Sequence, residues 1–300
     1  MGFLTMSNIS LNQTFRSPAK VNLYLKVTAK RADGYHELET LFLPLETPAD
    51  EIGIRDNFPG QGLSISSNNG DLPLDERNIC WKAAVAWCAA AGKAPDFHLH
   101  IEKIVPVAAG LGGGSANAAT VLQALNRHYN CPVDDVRLAE MAVRIGADVP
   151  FFLNARPAVA RGVGELLTYL DFDPLAVPVL VVAPDFPVSA AWAYKHLSPA
   201  TIGHNPGELD ALPAALRQRD WAACGRLIRN DLAAALYGKF PWLALLRRDL
   251  LGLGACGAEV SGSGPSLFAV CASRTEAERI ARELQLKHPG SLRTFVSGGR

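Results

Sequence analysis

Along PAKVNLYLKV (18–27), apolar Ala19, Val21, Leu23, Leu25 and Val27 alternate with Lys20, Asn22, Tyr24 and Lys26. A period of two predicts a strand with one face in a core and the other carrying the polar set. A loop over RADGYHEL (31–38) leads to strands at 40–45 and 50–54, and the loop-rich stretch 59–78 leaves LSIS as a brief edge strand. A helix from about 78 to 91 stops at Gly92. FHLHIEKI (97–104) alternates again, and apolar residues at helical spacing predict helices over 115–129 and 134–145, with Asp134 as N-cap and Gly146 as stop. The second half mixes a strand at 177–183, helices around 189–197, 219–234 and 241–251, and strands near 256–260 and 267–271. Ser273 and Glu276 form a capping box for a further helix, and LRTFVS (292–297) is a last strand. Strands and helices do not alternate regularly, so the pattern predicts an α+β fold rather than a doubly wound parallel sheet.

Composition narrows the class. Three hundred residues correspond to two domains at about 150 each. Polar DFDP (171–174) marks the expected boundary, giving domains 1–172 and 173–300. The 29 Lys+Arg balance the 29 Asp+Glu, which argues against a nucleic-acid partner. Apolar residues make up 49%, enough for a sizeable core. The longest strongly apolar stretch, LAVPVLVVAP (175–184), contains two prolines and is far shorter than the ~20 residues a bilayer demands. The N-terminus shows no basic-then-apolar leader, so a cytoplasmic chain with no membrane partner is expected. The six cysteines (80, 88, 131, 224, 256, 271) form no CxxC pair and read as reduced, buried thiols.

Five segments carry candidate chemistry. In KIVPVAAGLGGGSANAA (103–119) a strand runs into Gly110, Gly112, Gly113 and Gly114, then Ser115 and a helix. Glycines let backbone N–H groups close on a ligand, and a helix start adds unpaired donors and a positive dipole end, a site for phosphate. No GK[ST] follows, so this is no Walker A, and Ser115 stands where a dinucleotide fingerprint needs its third glycine. Lys20 and Asn22 share one strand face, either as a solvated polar surface or as a functional pair. Asp148 in GADVPFFL either folds a turn or stands as a base at a pocket edge. DGYHEL (33–38) presents Tyr35 beside His36, and VSGSGPSLF (260–268) is a second glycine turn between apolar strands. His98 and His100 share a face but lack a third ligand at suitable spacing, so no metal site is expected.

Together SPAKVNLYL, RADGYHEL, PVAAGLGGGSANAA, GADVPFFL and SGSGPSLFA resemble the GHMP kinase superfamily, and within it the 4-diphosphocytidyl-2-C-methyl-D-erythritol kinase family. The resemblance spans residues 17 to 272, and RADGYH is what narrows it to that member family. It implies ATP-dependent phosphorylation of the 2-hydroxyl of a small diphosphocytidyl alcohol, releasing ADP, in the non-mevalonate route to isoprenoids, with Mg²⁺ accompanying ATP. It also implies a ribosomal-S5-like N-terminal ATP domain, a ferredoxin-like C-terminal domain and an active cleft between them. By the same resemblance Lys20 and Asp148 are the catalytic pair, Asp148 as general base. Pro106, Val107, Ala108, Ala109, Gly110, Leu111, Gly112, Gly113, Gly114, Ser115 and Ala116 match the ATP-phosphate loop, with bare Gly113 letting the triphosphate approach. Asn78 and Lys103 fall at adenosine contacts, and Asn22 on the substrate side. Tyr35 and Tyr194 are expected to sandwich the cytosine while His36 reads its edge. Two departures stand out: Ala116 where many members have a second serine, and Leu43 where a glutamine often follows TLF. The alternatives are a GHMP kinase for mevalonate, homoserine or a sugar, and a non-catalytic ATP-binding regulator. The sequence leaves the oligomeric state open.

Overall fold

The computed structural model describes residues 13–203 and 209–300. The N-terminal leader reading therefore falls largely outside the described residues. The first half contains β1 (Gln13–Lys30), β2 (His36–Asp56), β3 (Ser64–Ser67), α1 (Ile79–Ala91), β4 (Phe97–Glu102), α2 (Gly113–His128), α3 (Asp135–Ile145), α4 (Val149–Phe152), β5 (Ala158–Arg161) and β6 (Leu166–Tyr169). The second contains β7 (Val179–Pro184), α5 (Ala190–Lys195), α6 (Leu212–Gln218), α7 (Trp221–Leu227), β8 (Arg229–Asn230), α8 (Ala233–Lys239), α9 (Pro241–Gly252), β9 (Gly257–Val260), β10 (Leu267–Val270), α10 (Arg274–Lys287) and β11 (Leu292–Ser297). This is an α+β architecture.

A seven-stranded sheet runs β3-β4-β2-β1-β8, with β5 beside β2 and β6 beside β5; a four-stranded antiparallel sheet runs β11-β7-β10-β9. The pattern on β7 explains how they stack. Leu180 and Val182 pack with the apolar faces of α8, α9 and α10, while Val179 and Val181 pack with Ala19, Val21 and Leu23 of the large sheet. A strand apolar on both faces is buried on both. On the far side of the large sheet, Ile52, Ile54, Leu99 and Ile101 meet α1 and α2 through Trp87, Val121 and Leu122.

Local chemistry sets the helix ends. Asn78 caps α1 by accepting from Cys80 N at 2.9 Å, and Asp134 caps α3 by accepting from Arg137 N at 2.8 Å. Ser273 Oγ accepts from Glu276 N at 3.2 Å to open α10. His98 sits between the hydroxyls of Ser64 and Ser66, each 2.8 Å away, on the edge of the large sheet. Cys80, Cys88, Cys224 and Cys271 are buried, Cys256 is half-buried and Cys131 is exposed; all are free thiols. Among the described residues, no helix is long and apolar enough to cross a membrane.

Three expectations need correction. The strands expected at 40–45 and 50–54 are one strand, β2, which pairs along nearly the whole of β1. The polar face of β1 is not solvated: Lys20, Asn22 and Tyr24 are all at most 4% exposed. A register shift between Asn22 and Tyr24 turns Tyr24 into the cluster of Ala19, Val21 and Leu23, and sends Leu25 and Val27 to the other core. The helix expected over 219–234 is broken. Asp220 starts α7, and β8 then pairs parallel to β1 at Tyr24 and Leu25. Asp231 Oδ2 takes the Val27 amide at 2.9 Å, and Asn230 Nδ2 donates to the carbonyls of Val260 and Gly262. Those side-chain bonds compete with the helical ladder and win.

Candidate active site

One cavity of 1220 Å³ takes in part of β1, the turn before β2, the glycine loop, the start of α4 and α5. β1 positions its chemistry. The Lys20 amide donates to Leu111 O at 3.0 Å, pinning that strand directly to the glycine loop. The Lys20 side chain is 5% exposed, and its Nζ lies 2.5 Å from Asn22 Oδ1 and 3.3 Å from Asp148 Oδ2, over the Phe42 ring at 4.9 Å. Asn22 Nδ2 donates to Thr40 Oγ1 at 2.8 Å, and Thr40 donates to Tyr24 O at 2.6 Å. This chain of hydrogen bonds fixes the ammonium in one place beside a carboxylate whose side chain is 30% exposed to the cavity. A fixed cation beside a reachable carboxylate is suited to moving a proton and stabilising charge that develops nearby.

The glycine loop follows β4 and ends at Gly112, which caps α2 at φ 71° with no side-chain hydrogen bond to its N-terminus. The first amides of α2 therefore have no capping oxygen and stand at the cavity wall, an arrangement that receives anions. The loop is held from behind by the second glycine turn. Ser261 Oγ accepts from Asn22 N at 3.2 Å and donates to Gly110 O at 2.9 Å, while Ser266 N donates to Ala109 O at 3.2 Å. One hydroxyl thus links β1, the loop and the small sheet.

At the other end of the cavity, His36 stacks on Tyr194 with ring centroids 5.3 Å apart. Burial, then the nearby Lys30 charge, holds the His36 imidazole below its ordinary pKa, which favours the neutral ring. Burial, then the Asp148 carboxylate, pushes the Tyr194 phenol up, which keeps it a hydrogen-bond donor.

Lys20, Asn22, Tyr35, His36, Asn78, Lys103, Asp148 and Tyr194 line this single cavity, as does every loop residue from Pro106 to Ser115. Several details differ from expectation. Ala116 turns away from the cavity into the core at 0% exposed, because each helical residue rotates the side chain by about 100°. Leu43 is likewise core. A Cβ on Gly113 would meet Val105 Cγ1 at 2.9 Å and Lys103 Nζ at 3.0 Å, so this glycine makes room for the protein's own side chains. The Tyr35–Tyr194 slot is not preformed: His36 lies against Tyr194, and Tyr35 stands 64% exposed at the rim. Asn78 serves as a helix cap and also donates to Pro73 O at 2.7 Å. Lys103 forms an ion pair with buried Asp50. Asp50 carries no motif signal in the sequence, and although Thr40 and Phe42 lie in the TLF segment, only the fold reveals their contacts with Asn22 and Lys20.

Comparison with known proteins gives the family. The profile of the GHMP kinases N terminal domain matches residues 78–156, and that of the GHMP kinases C terminal matches 212–290. The chain is 37% identical over 274 residues to a 4-diphosphocytidyl-2-C-methyl-D-erythritol kinase of Geobacter sulfurreducens, covering 91% of this chain and 95% of the relative. It is 40% identical over 265 residues to the protein of that name from Solidesulfovibrio magneticus, covering 87% and 88%. A crystal structure of 4-(cytidine 5'-diphospho)-2C-methyl-D-erythritol kinase superposes with a TM-score of 0.80 at 35% identity, covering 96% of this chain and all of the other. The chain is a kinase of the GHMP type, and it belongs to the 4-diphosphocytidyl-2-C-methyl-D-erythritol kinase family.

Proposed function

We propose that this protein transfers the γ-phosphoryl group of ATP to the 2-hydroxyl of 4-diphosphocytidyl-2-C-methyl-D-erythritol, giving the 2-phosphate and ADP, in the cytoplasmic non-mevalonate route to isoprenoid precursors. The observation that carries the reading is the Lys20–Asp148 pair at 3.3 Å, beside the uncapped N-terminus of α2 in one cavity. Phosphoryl transfer asks a protein mainly for positioning and charge stabilisation. Asp148 takes the proton from the acceptor hydroxyl, and Lys20 orients Asp148 and offsets negative charge on the moving group. The amides of residues 113–115 and the Ser115 hydroxyl receive the phosphates, and Asn78 and the Lys103 segment border the adenosine. Residues 1–172 supply this nucleotide side, and 173–300 the far wall with Tyr194. A Mg²⁺ ion accompanying ATP suits this donor set. The carboxylate of Asp148 and the hydroxyl of Ser115 are hard oxygens that would hold such an ion, which would neutralise phosphate charge.

The base end supplies selectivity. Tyr35 closes from the rim over the cytosine, with His36 and Tyr194 forming the opposite side. Stacking on an aromatic side chain is worth ~1–3 kcal/mol per base, so Tyr35→Ala is expected to raise KM for the alcohol by roughly 5- to 150-fold, with KM for ATP unchanged. Intact discrimination between cytidine and uridine forms in both Tyr35→Ala and His36→Ala would contradict this placement.

A coupled ADP-release assay over a panel of alcohols tests the substrate. The diphosphocytidyl alcohol is expected to exceed mevalonate, homoserine and sugars by orders of magnitude in kcat/KM. Comparable rates for one of the others would move the chain to a different GHMP specificity, and no ADP release with any alcohol would favour a binding protein.

A further inference from the structure

Asp50 lies on β2, fully buried, and nothing in the reaction uses it. Its carboxylate is saturated. Oδ1 accepts from the amides of Ile104 and Val105, both at 2.7 Å. Oδ2 accepts from Asn117 Nδ2 at 2.8 Å and from the Lys103 ammonium. An ionised carboxylate offers about four lone-pair sites, and all four are taken. Burying a carboxylate requires a cation, which Lys103 supplies, and hydrogen bonds to the remaining lone pairs. What is informative is where the three donors of those bonds come from.

Ile104 and Val105 immediately precede Pro106, where the glycine loop begins; Asn117 lies in the opening turns of α2, where the loop has ended. The two ends touch each other, since a Cβ on Gly113 would meet Val105 and Lys103 at 3.0 Å or less. Asn117 Nδ2 also donates to Ser17 Oγ at 2.9 Å, on the stretch of β1 leading to Lys20. The entry of the loop, its exit and the catalytic strand therefore meet at one carboxylate.

We infer that Asp50 is the positioning residue of the glycine loop: it ties the two ends together, fixes where the first amides of α2 stand, and so sets nucleotide affinity without touching the nucleotide. The Lys103 ammonium belongs to this tie as the counter-charge of Asp50. The inference rests on reading 106–116 as the site of the nucleotide phosphates. In Asp50→Asn, whichever way the amide turns, an NH₂ group faces donors, and the buried Lys103 ammonium loses its counter-charge. Asn117→Ala is gentler, removing the bonds to Asp50 and Ser17 and leaving the Asp50–Lys103 pair.

The test measures the dissociation constants of ADP and of the diphosphocytidyl alcohol in both variants, with thermal melting alongside. Asn117→Ala is expected to weaken ADP about 10-fold, the low end for one hydrogen bond to a charged group, and Asp50→Asn up to about 150-fold, the high end of that range. Affinity for the alcohol stays within about twofold in both, because its cavity walls are other segments. If Asp50→Asn does not fold, Asn117→Ala carries the test alone. Gly114→Val separates the inference from the reading beneath it, because a Cβ there meets only Ile79 Cγ2, at 3.7 Å, on the cavity wall. Weakened ADP in Gly114→Val with normal ADP in Asn117→Ala overturns the role of Asp50 and leaves the loop reading standing. Normal ADP in all three variants overturns both. Parallel losses for ADP and the alcohol that track the melting temperature show a merely structural residue and also overturn the inference.

Discussion

Asp148→Asn is expected to bind ATP and the alcohol nearly as the parent protein does, and to lose roughly 10²- to 10⁴-fold in kcat, the usual contribution of a general base. The side chain keeps its size, and the Lys20 ammonium keeps Asn22 Oδ1 at 2.5 Å, so the variant has no structural reason to unfold. What it loses is the carboxylate that stands 3.3 Å from the Lys20 ammonium in the cavity. Lys20→Ala is expected to fall by a similar factor, because it removes the buried cation that orients that carboxylate. The double variant should be little slower than either single one, since groups acting as a unit give non-additive losses. Rapid-quench turnover and equilibrium binding on the three proteins decide the matter. Full turnover in Asp148→Asn would leave positioning alone as the mechanism.

Gly110→Ala is expected to cost the fold and the nucleotide site together. Its φ is +76°, where an L side chain is strained, and its Cβ would stand 2.0 Å from Ser261 O and 2.9 Å from Gly264 N. Both are backbone atoms, so no side chain can swing aside; the loop must leave the 261–264 turn. A loss of about 3 kcal/mol sits at the upper end of ordinary single substitutions and lowers the melting temperature by several degrees. Nucleotide affinity should fall at least ~10-fold with it, because Ser261 then no longer holds Gly110 O at 2.9 Å. Gly114→Val is the contrast, with a normal melting temperature and weak nucleotide binding. A normal melting temperature in Gly110→Ala would show that the two glycine turns do not depend on each other.

Much of this site was legible in the sequence because its parts are local. The alternation around Lys20, the run of glycines before a helix, and the Tyr35–His36 turn each declare themselves within a few residues, and all line one cavity. Interactions between distant segments were not legible. Asp50 reads as one acid in a short strand, and its partners at 103–105 and 117 become visible only when β2 and β4 lie side by side. The burial of Lys20 and Asn22 depends on the loop and on the 261–266 turn, from the opposite end of the chain. The helix expected over 219–234 failed for the same reason: Asn230 and Asp231 find partners on β1 and at the end of β9 that no local pattern announces. Gly113 shows the converse, a glycine whose motif was evident while its reason was not.

The central claim is that one phosphoryl group passes from ATP to one hydroxyl in this cavity. Single turnover with ATP labelled in the γ-phosphoryl group, in the presence of the diphosphocytidyl alcohol, tests it most directly. The account predicts label on the 2-hydroxyl of the alcohol in one-to-one ratio with ADP, and loss of both in Asp148→Asn. Label released as inorganic phosphate, or carried to a different hydroxyl, would contradict it.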